Sequence, residues 1–283
     1  MFVDCVEIGT CDFDIAVLRD DVRSGLCIEP IPFYLERIQK KEGIKKINCA
    51  VSDENGKCTI YFVEPEIIDT YRFPDWFRGC NSINTYHPTV DRVIRERGLN
   101  PDDYVSHYIV EKKTLFQLLE EEGVQQMYLM KIDTEGHDCV ILGKYLQDIA
   151  ENTHKLPFQL FFECNILTEE NVLNHMLELL TEKGYDLIKK DDSDAHLILN
   201  LQKVKNKTRF SQKMDNYYIM DYLPGYDPNQ PGHENTLISA MKYCVDNGGT
   251  GVTWENGRFE VRGGPYLRFF DDGRCNLKSW VYL

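Results

Sequence analysis

Up to about residue 205, short apolar runs alternate with helix-like stretches, and this alternation constrains the fold more than any other feature of the chain. Residues 2–8 and 25–29 read as buried strands, and a helix over 33–41 follows the second, introduced by Pro30-Ile31-Pro32. Residues 46–51 and 58–63 read as a third and a fourth strand, separated by the turn signal Glu54-Asn55-Gly56. After an interruption the rhythm resumes: strands over 107–110, 127–132 and 158–163 alternate with helices over 114–122, 137–149 and 169–183. Two last strands, 186–189 and 195–201, are joined by polar residues as an antiparallel pair. Strands separated by helices imply an α/β fold with a mostly parallel sheet covered on both faces.

Residues 64–104 break the pattern. Pro65, Pro74, Pro88 and Pro101 punctuate a stretch carrying Tyr71, Phe73, Trp76, Phe77 and Tyr86, which reads as a functional loop or lid, or as helices that periodicity does not place. Beyond the α/β domain of residues 1–205, the turn-rich segment 206–227 reads as a linker. Residues 228–283 read as a small C-terminal α+β module, with a helix over 235–246 and hairpin signals at Asn256-Gly257 and Asp272-Gly273.

Forty-six acidic residues against 32 basic ones give a formal net charge of −14. A field of that sign repels phosphates and anionic lipid, so neither nucleic acid nor a membrane surface is an expected partner. No run of about 18 apolar residues suggests a membrane span, and the start Met1-Phe2-Val3-Asp4-Cys5 lacks the pattern of a signal peptide. The 10 cysteines include no C-x-x-C pair, which argues against a zinc or redox motif. Reduced thiols in a cytoplasmic protein are the expectation.

Four segments could carry chemistry. In Val6-Glu7-Ile8-Gly9-Thr10-Cys11-Asp12-Phe13-Asp14 a strand ends at Ile8, and Gly9 permits a tight turn against a ligand. The fingerprint G-x-G-x-x-G is absent, so a nucleoside without pyrophosphate fits better than a dinucleotide. Glu29, about 20 residues beyond Gly9, ends the next strand where a carboxylate reaches a ribose. Val51, Ser52 and Asp53 end the third strand; Asp53 either accepts from an adenine amino group or begins the following turn. In Met130-Lys131-Ile132-Asp133-Thr134-Glu135-Gly136-His137-Asp138 a buried strand delivers four ionisable residues to its carboxyl end. Such crowding suits acid–base work or a divalent cation, although Asp133 or Thr134 could simply cap the next helix.

In that order, these segments resemble the FkbM family of methyltransferases, most specifically over residues 131–137, with Phe161-Phe162-Glu163 matching a further family strand. The similarity covers roughly residues 3–200. It implies a Rossmann-like methyltransferase fold, to which the closing antiparallel pair is suited, and S-adenosylmethionine as cofactor. It also implies O-methyl transfer to a hydroxyl, often of a sugar or other hydroxylated metabolite. By the resemblance, Glu7, Gly9, Thr10, Asp12 and Asp14 hold the methionine end, Glu29 the ribose, and Val51, Ser52 and Asp53 the adenine. Residues 133–137 then face the reacting centre. The chain departs from the family at Phe13, where a second glycine is usual.

The sequence reading assigns His137 as the general base, because an imidazole titrates near neutral pH, with Asp133 second and Glu135 beside them. Asp133, Glu135 and Glu163 could instead gather magnesium or manganese. Asn81, Ser82, Tyr86 and His87 are candidate contacts to a small-molecule or glycan acceptor, and no motif specifies an oligomeric state. The competing readings are a nicotinamide oxidoreductase, disfavoured by the missing fingerprint, and a non-catalytic glycan- or partner-binding protein on the same scaffold.

Overall fold

The computed structural model describes residues 1–11, 15–83, 85–205, 207–227, 236–270 and 276–283. In chain order, β1 (Phe2–Ile8), β2 (Gly25–Ile28) and β3 (Ile44–Ile47) lead to β4 (Ala50–Ser52), β5 (Gly56–Val63), β6 (Ser82–Ile83) and β7 (Val105–Thr114). Then come β8 (Gln126–Ile132), β9 (Gln159–Glu163), β10 (Tyr185–Lys190) and β11 (Asp194–Leu199). The helices among them are α1 (Pro32–Arg37), α2 (Pro65–Tyr71), α3 (Pro88–Glu96), α4 (Leu115–Glu121), α5 (Asp138–Ile149) and α6 (Glu170–Glu182). The remainder contains β12 (Met214–Asp215), β13 (Tyr217–Ile219), α7 (Leu237–Asp246), β14 (Gly251–Glu255), β15 (Arg258–Arg262), β16 (Leu267–Phe269) and β17 (Lys278–Val281).

Seven strands form one sheet in the order β10-β11-β9-β8-β1-β2-β3. Neighbours from β9 through β3 are parallel, and β11 runs antiparallel to both β9 and β10. Buried apolar residues on both faces of β1, such as Cys5, Val6 and Ile8, suit a strand covered on both sides. One face packs against α4, α5 and α6 through Leu118, Ile141, Tyr145, Leu173 and Met176. The other is covered near β1 and β2 by a 3-10 turn, Ala16–Leu18, and by α1, through Val17 and Leu35. The chain travels from β1 outward to β3 and returns to β8 on the opposite side of β1. Strand order therefore reverses between β1 and β8, where a crevice opens outside their carboxyl ends.

The run 46–51, expected as one strand, divides between two sheets. Asn48 Nδ2 donates to the carbonyls of Glu29 (3.0 Å) and Pro30 (2.8 Å), and the chain turns out of the main sheet there. Residues beyond it form β4 of a second sheet, ordered β4-β7-β5-β6. The interruption over 64–104 contains α2, α3 and two 3-10 turns, Asp75–Arg78 and Pro101–Asp103. Pro65, Pro88 and Pro101 start three of these, where a missing N–H costs nothing. The segment has its own core of Val63, Ile68, Phe73, Phe77, Val90 and Ile94, so Phe73 and Phe77 are packing residues.

The hairpin at Asn256-Gly257 joins β14 to β15, both turn residues having positive φ (50° and 87°). The signal at Asp272-Gly273 lies outside the described residues. Segment 206–227, read as a linker, carries β12 and β13, which pair with β17 and β16. Met214, Tyr217 and Ile219 are buried in the same apolar cluster as Val3, Val6 and Met130. Tyr217 Oη also donates to Asp4 Oδ1 of β1 at 2.9 Å. These buried side chains draw the segment into two strand pairings despite its turn-rich composition.

Candidate active site

A cleft open to solvent lies at the β1–β8 reversal, outside the carboxyl ends of the strands. Ile8, Gly9, Cys11, Ile28, Glu29 and Pro30 form one side, at the ends of β1 and β2. Asp133, Thr134 and Glu135 close it beyond β8, and Cys49, Ala50 and Val51 line its far end. The second sheet and the insertion contribute Ile60, Gly79, Asn81 and Ile83.

Gly9 is required twice over. Its φ is +77°, and a Cβ there would lie 1.9 Å from the carbonyl oxygen of Asp133. The ends of β1 and β8 are held this close by the Asp133 N–H donating to Ile8 O at 3.0 Å, and the Gly9 N–H donates to Ile28 O of β2, also at 3.0 Å.

Glu29 is buried in the cleft wall. Its Oε2 accepts from the Cys11 N–H (2.9 Å) and its Oε1 from the Ile31 N–H (2.8 Å), which fixes the carboxylate at the end of β2. Glu7 has a different setting from the one the sequence suggested. It is fully buried, and its two oxygens accept from the N–H groups of Ala16 (2.8 Å) and Val17 (2.9 Å). Lys131 lies 3.5 Å away as its counter-charge. Burial raises the Glu7 carboxyl, against the pull of those partners. Glu7 therefore anchors the start of the 3-10 turn Ala16–Leu18. Thr10 is also buried, its hydroxyl 3.6 Å from Cys27 Sγ, while Asp12 and Asp14 lie outside the described residues.

Val51 reaches the cleft, whereas Ser52 and Asp53 turn toward His137. Ser52 Oγ lies 3.0 Å from His137 Nε2 and donates to Asp53 Oδ1 at 3.0 Å. Burial lowers the pKa of His137, favouring its neutral form. The ring is thus committed to the β4 side of its own helix start.

The acidic residues after β8 are brought together with Glu163 at the end of β9. Carboxylate oxygens of Asp133, Glu135 and Glu163 lie within 4.8 Å of one another. Burial first, opposed by Lys131 and reinforced by neighbouring carboxylates, raises Asp133 to about 7. Burial and the charges of Glu135 and Asp133 push Glu163 to about 9. Glu163 Oε2 is buried without a hydrogen-bond partner among the described residues.

Asp138 is a clamp that the sequence reading grouped with the acid–base cluster. Fully buried at the start of α5, it accepts from the Thr134 N–H (3.3 Å), Thr134 Oγ1 (2.9 Å) and the Glu163 N–H (3.1 Å). It ties the turn after β8 to the end of β9. Thr134 caps nothing directly; its hydroxyl serves Asp138. The four-residue spacing from Thr134 was the available signal for this role.

Of the acceptor candidates, Asn81 lines the cleft and its Oδ1 is buried without a partner among the described residues. Ser82 pairs with Tyr61 in the second sheet. Tyr86 Oη donates to Asp102 Oδ1 at 2.7 Å, bracing the insertion. His87 is 5% exposed, with Nε2 3.1 Å from Glu135 Oε2.

Methyltransferases define the class into which this arrangement falls: residues 7–187 match the methyltransferase FkbM domain. The chain belongs to the FkbM methyltransferase family. Among solved structures it is similar to methyltransferase FkbM from Methylobacillus flagellatus KT, at 13% identity and a TM-score of 0.37. The match covers 70% of this chain and 44% of that one, so the chain spans less than half the length of that relative. No curated protein sequence matches the chain. No helix among the described residues is long and apolar enough to cross a membrane.

Proposed function

We propose that this chain is an S-adenosylmethionine-dependent O-methyltransferase on a Rossmann-like sheet, acting on a hydroxyl of a sugar or other hydroxylated small molecule. The observation that carries the reading is the cleft at the strand-order reversal, with Gly9 and Glu29 on one side and Asp133 and Glu135 on the other. The cofactor's ribose hydroxyls would bind Glu29, and its adenine would lie toward Val51. Gly9, in the short approach between strand ends, would leave backbone free for the methionine end.

Transfer requires the acceptor oxygen, the methyl carbon and the sulfonium sulfur in line, with the hydroxyl proton removed during or after attack. Asp133 is the base in this reading, because it lines the cleft and burial moves its carboxyl toward neutrality. His137 gives way to it, being turned to Ser52. The proximity of Asp133, Glu135 and Glu163 supports an oxygen-rich magnesium or manganese site as a second route to acidify the hydroxyl. A cytoplasmic setting belongs to the same proposal, supported by the nine described cysteines, all free thiols.

The test is transfer of labelled methyl from S-adenosylmethionine to a panel of sugars and hydroxylated metabolites, with and without prior EDTA treatment. Label on oxygen supports the reading, and activity that survives EDTA removes the metal route. Label appearing only on nitrogen or sulfur acceptors would overturn O-methylation.

A further inference from the structure

At one corner of the cleft, the insertion brings two donors of a different kind to Glu135. Ligand atoms of Cys80, His87 and Glu135 lie within 4.8 Å of one another. His87 Nε2 is 3.1 Å from Glu135 Oε2, and the Cys80 side chain also interacts with Glu135 by hydrogen bonding. The imidazole is 5% exposed, and its Nδ1 is buried with no hydrogen-bond partner among the described residues. Nε2 is the ring nitrogen that faces Glu135 and so the one placed to ligate an ion shared with that carboxylate, while Nδ1, on the other side of the ring, takes no part in that group.

We propose that Cys80, His87 and Glu135 form a binding site for a transition-metal ion of the zinc class, joining the insertion to the turn after β8. A thiolate, an imidazole and one carboxylate favour Zn²⁺ or Co²⁺ over Mg²⁺, which prefers oxygen ligands in octahedral geometry. Three protein ligands leave a fourth position for water or for an oxygen from the cleft that Glu135 lines. Binding releases the Cys80 thiol proton to solvent. Cys80 and His87 lie close together in the insertion, but Glu135 is 48 residues beyond His87 and no C-x-x-C pair is present, so chain spacing alone did not bring the three together.

This site differs from the oxygen-only group of Asp133, Glu135 and Glu163 in needing Cys80 and His87. It also stands apart from the methyl-transfer reading, because metal binding is measured without cofactor. The experiment titrates the chelator-stripped full chain with Co²⁺ and follows thiolate-to-cobalt charge-transfer absorption. The expected result is one equivalent bound with a charge-transfer band that Zn²⁺ displaces. Cys80→Ser should abolish the band, and both Cys80→Ser and His87→Gln should weaken Zn²⁺ binding by calorimetry by at least about a hundredfold, since even outer partners of metal ligands change affinity tenfold or more. In unsubstituted protein, which needs no variant to fold, Zn²⁺ should protect Cys80 from iodoacetamide, read by peptide mass spectrometry. A band that persists in Cys80→Ser would place the metal on one of the other nine cysteines and overturn the proposal. So would absence of the band, or unimpeded Cys80 labelling at saturating Zn²⁺. Titration of the same sample with S-adenosylmethionine reports separately on the methyltransferase reading.

Discussion

Gly9→Ala is expected to damage the fold and the cleft together, by an amount that can be set against an internal control. Alanine at φ +77° costs about 1–2 kcal/mol for the left-handed backbone alone. Its Cβ would also lie 1.9 Å from Asp133 O and 2.9 Å from Asp133 C, against backbone that has no rotamer to yield. Relieving the overlap requires the ends of β1 and β8 to part. That movement strains two hydrogen bonds, Asp133 N–H to Ile8 O and Gly9 N–H to Ile28 O, each contributing about 1 kcal/mol net and more if left buried and unmade. The total is about 3–6 kcal/mol, a large share of the roughly 5–15 kcal/mol that stabilises a domain. Gly98 has a similar φ, +73°, but a Cβ there would meet nothing within 4 Å. Gly98→Ala should therefore show only the backbone cost, about 1–2 kcal/mol. Equilibrium urea unfolding of both variants, followed by circular dichroism, measures the difference. Equal destabilisation by the two substitutions would refute the close approach of the strand ends at Gly9.

Three further outcomes follow from the site and its supports. Asp133→Asn should lower the rate of methyl transfer by about 10²–10⁴-fold while leaving S-adenosylmethionine affinity within a few-fold, measured by single-turnover kinetics and calorimetry; unchanged turnover would remove Asp133 as base. Asp138→Ala deletes an acceptor of three hydrogen bonds and strands the Thr134 and Glu163 N–H groups, so urea unfolding should show a loss of about 3–5 kcal/mol. His154 is buried, and burial lowers its pKa from 6.5 to about 4. The unfolded chain then binds the proton more readily, so stability is complete above pH 6.5 and is lost as pH falls toward 4, by about 3 kcal/mol. His154→Gln should flatten that part of the stability profile, and an unchanged acid slope would contradict the assignment.

The main sheet was legible because strands buried on both faces leave mostly apolar runs, and β1, β2, β8 and β9 all carry them despite single charged residues such as Asp4, Glu7 and Lys131. The turns at Gly9 and at residues 133–137 could be read for the same reason: each follows such a run directly. The split of residues 46–51 was not legible, because it depends on Asn48 finding the carbonyls of Glu29 and Pro30, residues distant in sequence. Prolines 65, 88 and 101 looked like loop punctuation but stand at helix starts, two roles that use the same residue for the same restricted φ. Side-chain commitments were the least visible. Glu7, Asp138 and His137 each have the chemistry of a catalytic group, yet backbone N–H groups occupy the first two and Ser52 meets the third. Only the packing of the turns reveals which acids face the cleft.

Calorimetric titration of the purified chain with S-adenosylmethionine and S-adenosylhomocysteine, with NAD as control, tests the central claim most directly. Stoichiometric binding of both at micromolar levels, no binding of NAD, and clear weakening by Glu29→Gln are expected. A folded chain that binds neither adenosyl compound, or binds NAD equally well, would contradict it.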